Sequence, residues 1–190
     1  MKNKKGVFIC GSGGSGKSTI AKTHFSEFTI IDVDLIYEQE LVNNNLGLNV
    51  KNFNNEQNII AQNLFEKSKK LNDQKFDTAV ETGQNIVIDS IGRNPEIILH
   101  QRELLEKMGY ETYMIMVYAE LETCINRVES RNRVYSQNIT IDSWYLSYSN
   151  ISIYNREFNS RFMLIYNDDT NWKDKLKVFI YKKTDKKDII

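Results

Sequence analysis

Val7-Phe8-Ile9-Cys10-Gly11-Ser12-Gly13-Gly14-Ser15-Gly16-Lys17-Ser18 decides how the rest of the chain is read. Four apolar residues stop abruptly at glycine, as a buried parallel strand does. Only glycine and serine fill positions 11–16, and a helical pattern follows over residues 18–28. A strand, a glycine-rich loop and a helix in that order open an α/β unit.

The loop matches G-x-x-x-x-G-K-[ST] in full, from Gly11 to Ser18, in the strand-to-helix context that this motif requires. Glycines let backbone N–H groups turn toward phosphate oxygens, and the helix N-terminus adds partial positive charge. Lys17 can reach β and γ phosphates, and the Ser18 hydroxyl can ligate Mg²⁺. Gly11, Ser12, Gly13, Gly14, Ser15, Gly16, Lys17, Ser18 and Thr19 are therefore the candidate nucleotide-binding residues. Gly11-x-Gly13-x-x-Gly16 also fits the dinucleotide fingerprint, with Asp32 near the place of a ribose-binding acid. Lys17-Ser18 separates the two readings, because a triphosphate with Mg²⁺ needs that pair and a dinucleotide does not.

Outward from the loop, apolar runs at 29–33, 85–89, 112–117 and 162–166 read as further strands. Helical patterns lie between them. Asn94-Pro95-Glu96 is a helix start with cap, proline and first-turn acid, and Gly109 is its stop. Leu121, Cys124, Ile125 and Val128 form one apolar helix face. Residues 35–45 read as a short helix, 43–58 as irregular, and 59–71 as a helix that 76–83 continues or turns from. Residues 172–181 read as a helix or a terminal strand. Alternation of strands and helices predicts a doubly wound parallel sheet of about five strands, with ligands bound beyond the strands' carboxyl ends. The expected organisation is one domain over 1–181, a short arginine-bearing lid at about 127–140, and a charged tail at 182–190.

Composition narrows the function classes. The 190 residues carry 25 Lys plus Arg against 25 Asp plus Glu, so no net charge draws the chain to nucleic acid or acidic membranes. No apolar stretch approaches the roughly 20 residues of a membrane span, and the basic start at 2–5 is followed by too short an apolar run for a signal peptide. The expectation is a cytoplasmic protein. Cys10 and Cys124 have no metal-spaced partners and read as small buried hydrophobes.

Several side chains beyond the loop are candidates for chemistry. Asp34 lies just past the second strand, where a carboxylate could orient an acceptor hydroxyl and take its proton; the alternative is that it caps the next helix. Asp89 ends the third strand, the place for an acid that holds Mg²⁺ directly or through water. Arg127, Arg131 and Arg133 follow the fourth strand and suit a lid that offsets charge during transfer. Trp144, Tyr145 and Tyr148 read as core or as an acceptor-side wall, and His24 and His100 as surface residues.

The loop, Ile31-Asp32-Val33-Asp34, Asn85-Ile86-Val87-Ile88-Asp89-Ser90-Ile91-Gly92-Arg93 and Lys107-Met108-Gly109-Tyr110-Glu111-Thr112 together resemble the zeta-toxin-like and polynucleotide-kinase-like P-loop kinases, over about residues 6–133. The resemblance implies P-loop kinase topology, ATP and Mg²⁺ as cofactors, and transfer of a γ-phosphoryl group to a hydroxyl of a nucleoside, nucleotide, sugar nucleotide or polynucleotide end. It makes Asp34 the base, Asp89 and Arg93 acceptor contacts, and Arg127 with Arg131 or Arg133 the lid arginines. Lys17 and these arginines are then catalytic, and Ser18 with Asp89 hold the metal. An antitoxin-like protein partner is compatible with the resemblance and not indicated by any residue. Tyr37 stands where a basic residue is common, and Ser90-Ile91 where Gly-Thr is usual. The other classes weighed are a P-loop NTPase without a small-molecule acceptor and, less favoured, a dinucleotide oxidoreductase.

Overall fold

The computed structural model describes residues 4–131, 136–168 and 177–179. Its sheet runs β1 (Lys4–Cys10), β2 (Thr29–Ile31), β3 (Ile86–Ser90), β4 (Tyr110–Tyr118), β5 (Phe162–Tyr166) and β6 (Lys177–Phe179) in spatial order β2-β3-β1-β4-β5-β6. The first five in that order are parallel, and β6 pairs antiparallel to β5 at the edge. The five-stranded parallel α/β sheet agrees with the sequence reading, and the terminal segment adds an edge strand to it.

Period-two alternation sorts the core into two faces. Phe8 and Cys10 of β1 face one cluster with Ile86, Ile88, Met114, Met116 and Phe162. Val7 and Ile9 face the other with Val87, Ile115, Val117 and Ile165. Helix α1 (Lys17–His24) covers the second face through Ile20 and Ala21. The first face is covered by α3 (Asn55–Glu81), α4 (Pro95–Lys107) and α7 (Ile151–Phe158), through Ala79, Val80, Ile98, Leu105, Tyr154 and Phe158. Arg102 ties α4 to α7, donating to the Glu157 carbonyl at 2.6 Å and lying 4.8 Å from the Phe158 ring centre.

The start of α4 is as the sequence predicts: Asn94 accepts from the Glu96 amide and Pro95 occupies the first turn. Other boundaries move for local reasons. β2 stops at Ile31 because Asp32 turns away to cap α2 (Val33–Asn43). The expected irregular stretch 43–58 is cut short by a capping box, in which Asn54 and Gln57 each accept the other's backbone N–H. From there α3 runs unbroken for 27 residues, about 40 Å at 1.5 Å per residue. With α2 it encloses a small core of its own, where Leu41, Ala61 and Leu64 are backed by Tyr37, Leu46, Leu48, Val50 and Phe53. This unit is an insertion between two neighbouring strands, β2 and β3.

Helix α5 (Leu121–Glu129) buries Cys124 and Val128 as its apolar spacing requires. Two further helices, α6 (Gln137–Tyr148) and α7, fill the stretch before β5, and α7 turns Ile151, Tyr154 and Phe158 inward at helical spacing. The buried residues of α6 are Thr140, Ser143 and Ser147, so its inward face is lined by hydroxyls and shows no apolar period.

The core makes a direct stability prediction. Leu105 is fully buried and its Cδ1 lies 3.0 Å from where a side chain at Gly6 would begin. Leu105→Ala should lower unfolding free energy by about 2–5 kcal/mol, read by urea denaturation.

Candidate functional site

The site forms where β1, β2 and β3 end. Residues 11–16 follow β1 and wrap the start of α1. Helices α2, α3 and α4 each begin with a capping side chain and an acid in the first turn. Helix α1, like α6 and α7, has neither: its N-cap is Gly16 at φ 98°, with no side-chain cap and no acid in the first turn. Its first N–H groups are thus left to an external acceptor, and the helix end favours an anion. Lys17 folds over the loop and donates to the Ser12 carbonyl at 2.9 Å. Thr19 is exposed, while Ser12 and Ser15 are fully buried.

The loop and the strand ends beside it are held from outside by groups of which the sequence reading singled out Trp144 and Tyr148 but not Asn167 or Ser143. Asn167, directly after β5, donates from Nδ2 to the Ser15 carbonyl at 2.8 Å, and its own N–H bonds the Tyr118 carbonyl at 2.7 Å. Ser12 Oγ lies 3.0 Å from Ser143 Oγ of α6, and Tyr148 donates to the Val117 carbonyl at 2.8 Å. Trp144 donates to the Ala119 carbonyl at 2.8 Å. These contacts give Trp144 and Tyr148 a polar anchoring role, and Tyr145 is 60% exposed. The available signal for Asn167 was its place at the carboxyl end of a parallel strand. Gly14 sits at φ +81°, and a Cβ there would come within 2.3 Å of the Cys124 carbonyl, so only glycine lets loop and α5 touch.

Asp89 faces α1, as alternation from Ile88 requires, and accepts from the Ser18 hydroxyl at 3.1 Å. The predicted metal pair is therefore in contact. Burial pushes the Asp89 carboxyl up, opposed by the charge of Lys17, the Ser18 hydrogen bond and Arg131. Asp32, not Asp34, caps α2: its Oδ1 accepts from the Asp34 N–H at 2.9 Å and the Leu35 N–H at 3.4 Å. Asp34 is left in the first turn, exposed, and its charge reaches both Asp32 and Asp89. Both acids of Ile31-Asp32-Val33-Asp34 lie beyond the strand, which ends at Ile31.

Arg93 is exposed on the turn between β3 and α4, close in sequence to Asp89. Arg127 donates to the Gly14 carbonyl at 3.3 Å and to the Asn167 carbonyl at 2.9 Å, so it lies against the outside of the loop. Arg131 is exposed just past α5, within electrostatic reach of Asp89. Arg133 lies outside the described residues, as do part of the expected lid and the whole tail. Cys10 and Cys124 are free and buried, and burial pushes their thiols up to about 12 and about 11. His24 and His100 are exposed, as expected.

Burial pushes Asp32 up to about 7, helped by the charges of Asp89 and Asp34. The folded chain keeps this proton to near pH 7, whereas the unfolded chain releases it near 3.8. The resulting stabilisation is full below about pH 4 and is lost as pH rises through 7. Asp32→Asn keeps an oxygen for the cap but cannot ionise. It should be more stable than wild type at pH 8.5, by about 1–3 kcal/mol, with the gap closing by pH 4.5. Thermal melts at the two pH values check this.

Comparisons with known proteins agree with the fold. A complex titled AvrRxo1-ORF1:-ORF2 superposes with a TM-score of 0.70 at 13% identity, covering 93% of this chain and 57% of that one. A second structure of that complex, with ATP, gives 0.68 at 15% identity, covering 86% and 55%. The chain thus spans little more than half the length of those proteins. A structure of the PezAT chromosomal toxin-antitoxin system of Streptococcus pneumoniae gives 0.56 at 16% identity, covering 87% and 70%. At these identities the likeness is one of fold. No curated protein sequence matches the chain. No helix among the described residues is long and apolar enough to cross a membrane. The sequence model of the zeta toxin family matches residues 1–162, from β1 through the start of β5, and the chain belongs to that family.

Proposed function

We propose that the protein transfers the γ-phosphoryl group of ATP to a hydroxyl of a nucleoside, nucleotide, sugar nucleotide or polynucleotide end. The observation that carries this reading is the 3.1 Å contact between Ser18 and Asp89, which joins the phosphate loop to the carboxyl end of β3 beside Lys17. The structure of one structural neighbour with ATP supports the choice of nucleotide, and another neighbour's place in a toxin-antitoxin system makes an antitoxin-like partner a fitting candidate.

In this reading the uncapped end of α1, the loop amides and Lys17 hold the phosphates. Ser18 and Asp89 fit Mg²⁺: both offer oxygen donors, they already touch, and two protein ligands leave room for phosphate and water. When bound, Mg²⁺ supplies positive charge that offsets the phosphates. Asp34 orients the acceptor hydroxyl and takes its proton as the new O–Pγ bond forms. The bond from Pγ to the β,γ-bridging oxygen breaks, and its electron pair leaves with ADP. Arg93 holds the acceptor. Arg127, Arg131 and Arg133 contribute positive charge around the transferring group.

An NTPase without an acceptor is the second reading. Against it, Ser90 and not glutamate follows Asp89 in the chain.

A screen with γ-labelled ATP against nucleosides, UDP-sugars and DNA or RNA ends, read by mass spectrometry, tests the proposal. Lys17→Ala should abolish transfer without unfolding the chain, and wild-type turnover in that variant would overturn the loop assignment. Asp34→Asn should keep ATP affinity and melting temperature but lose roughly 10²–10⁴ in transfer rate. Normal transfer by Asp34→Asn would remove Asp34 as the base. Arg131→Ala should lower kcat by a factor on the order of 10² while ATP affinity holds.

A further inference from the structure

The turn from α6 to α7 touches both loops of the site through side chains that have no place in the transfer chemistry. On the nucleotide side, Ser143 Oγ meets Ser12 Oγ at 3.0 Å, and Tyr148 Oη donates to the Val117 carbonyl at 2.8 Å and accepts weakly from the Ser12 N–H at 3.4 Å. On the other side, Ser147 donates to the Ile91 carbonyl, Asn150 Nδ2 to the carbonyls of Gly92 (3.2 Å) and Arg93 (3.0 Å), and Tyr154 Oη to the Gly92 carbonyl at 2.8 Å.

Gly92 explains why such bracing is needed. It stands at φ +72°, and a Cβ there would lie 2.9 Å from Cys10 Cβ. The turn carrying Arg93 thus passes directly over the last residue of β1, in a conformation no other residue adopts easily, and it lies outside any strand or helix. Backbone carbonyls in such a turn need donors, and the α6–α7 segment supplies them. Tyr154 is fully buried, and its hydroxyl is spent on this turn.

We infer that Asn150 and Tyr154 are positioning residues for the Arg93 turn, and Ser143 and Tyr148 for the phosphate loop. The α6–α7 segment is then the frame that fixes the acceptor's distance from the γ-phosphate. It rests on the kinase reading only for the word acceptor; the bracing itself does not.

The test uses the full chain. Tyr154→Phe, which loses one buried hydrogen bond, should speed amide hydrogen exchange at residues 91–94 about three- to tenfold, Asn150→Ala should speed it there too, and both should leave 11–16 at the wild-type rate. Tyr148→Phe should do the reverse. Affinity for a non-hydrolysable ATP analogue with Mg²⁺, by calorimetry, should fall in Tyr148→Phe and hold in Tyr154→Phe. With an acceptor from the γ-labelled screen, Tyr154→Phe should raise acceptor KM about three- to tenfold at unchanged ATP KM. Exchange that rises equally throughout the sheet, or not at all at 91–94, overturns the inference by making these residues purely structural or idle. Arg93→Ala separates the two claims. If it leaves acceptor KM unchanged, or if no acceptor is found, the kinase assignment of this turn fails while the exchange data still decide the frame. If it raises KM and Tyr154→Phe does not, the frame fails and the assignment stands.

Discussion

A loop that is to offer its N–H groups to phosphate must have its carbonyls satisfied elsewhere, and much of this structure answers that demand. The Ser12 carbonyl takes Lys17 and the Ser15 N–H, that of Gly13 takes the Ser12 hydroxyl, that of Gly14 takes Arg127, and that of Ser15 takes Asn167. The loop and α1 supply the first three of these partners; the other two, Arg127 and Asn167, come from α5 and from the end of β5, far apart in sequence. Placing them needs the sheet order in which β1 lies between β3 and β4, with β5 one strand further. A buried unpaired carbonyl costs about 1–3 kcal/mol, so the fold and the loop conformation stabilise one another.

Charge is arranged with similar economy. Asp32, Asp34 and Asp89 gather at the ends of β2 and β3, and their mutual repulsion helps hold Asp32 and Asp89 above the usual carboxylate range. Lys17 and Arg131 oppose this at Asp89. Added positive charge at the site would draw the acids down again, so nucleotide with its cation and the acid cluster are electrostatically linked.

Much of this was legible because strong local signals agree with one another. A strand that stops at glycine, the loop ending in Lys17-Ser18, the acid after Ile86-Val87-Ile88 and the Asn94-Pro95 helix start are each decided by a few adjacent residues. The division of labour between Asp32 and Asp34 was not legible, since it depends on where β2 ends, and three-residue strands are fixed by pairing rather than pattern. Helix α6 was hidden for a different reason. Hydrophobic periodicity finds helices that bury apolar faces, and this one buries Thr140, Ser143 and Ser147. Asn167 carries no motif, and its importance emerges only when β5 lies two strands from β1.

The two thiols flank the phosphate loop, Cys10 just before Gly11 and Cys124 with its carbonyl against Gly14. With thiols raised to about 12 and about 11, less than about one in a thousand is thiolate near neutral pH, and only the thiolate reacts readily. Buried and held protonated, neither thiol is placed to meet peroxide or electrophiles in the folded chain. Their burial also makes the thiols silent reporters: their alkylation in an otherwise native chain would record the moments when the sheet opens beneath the loop.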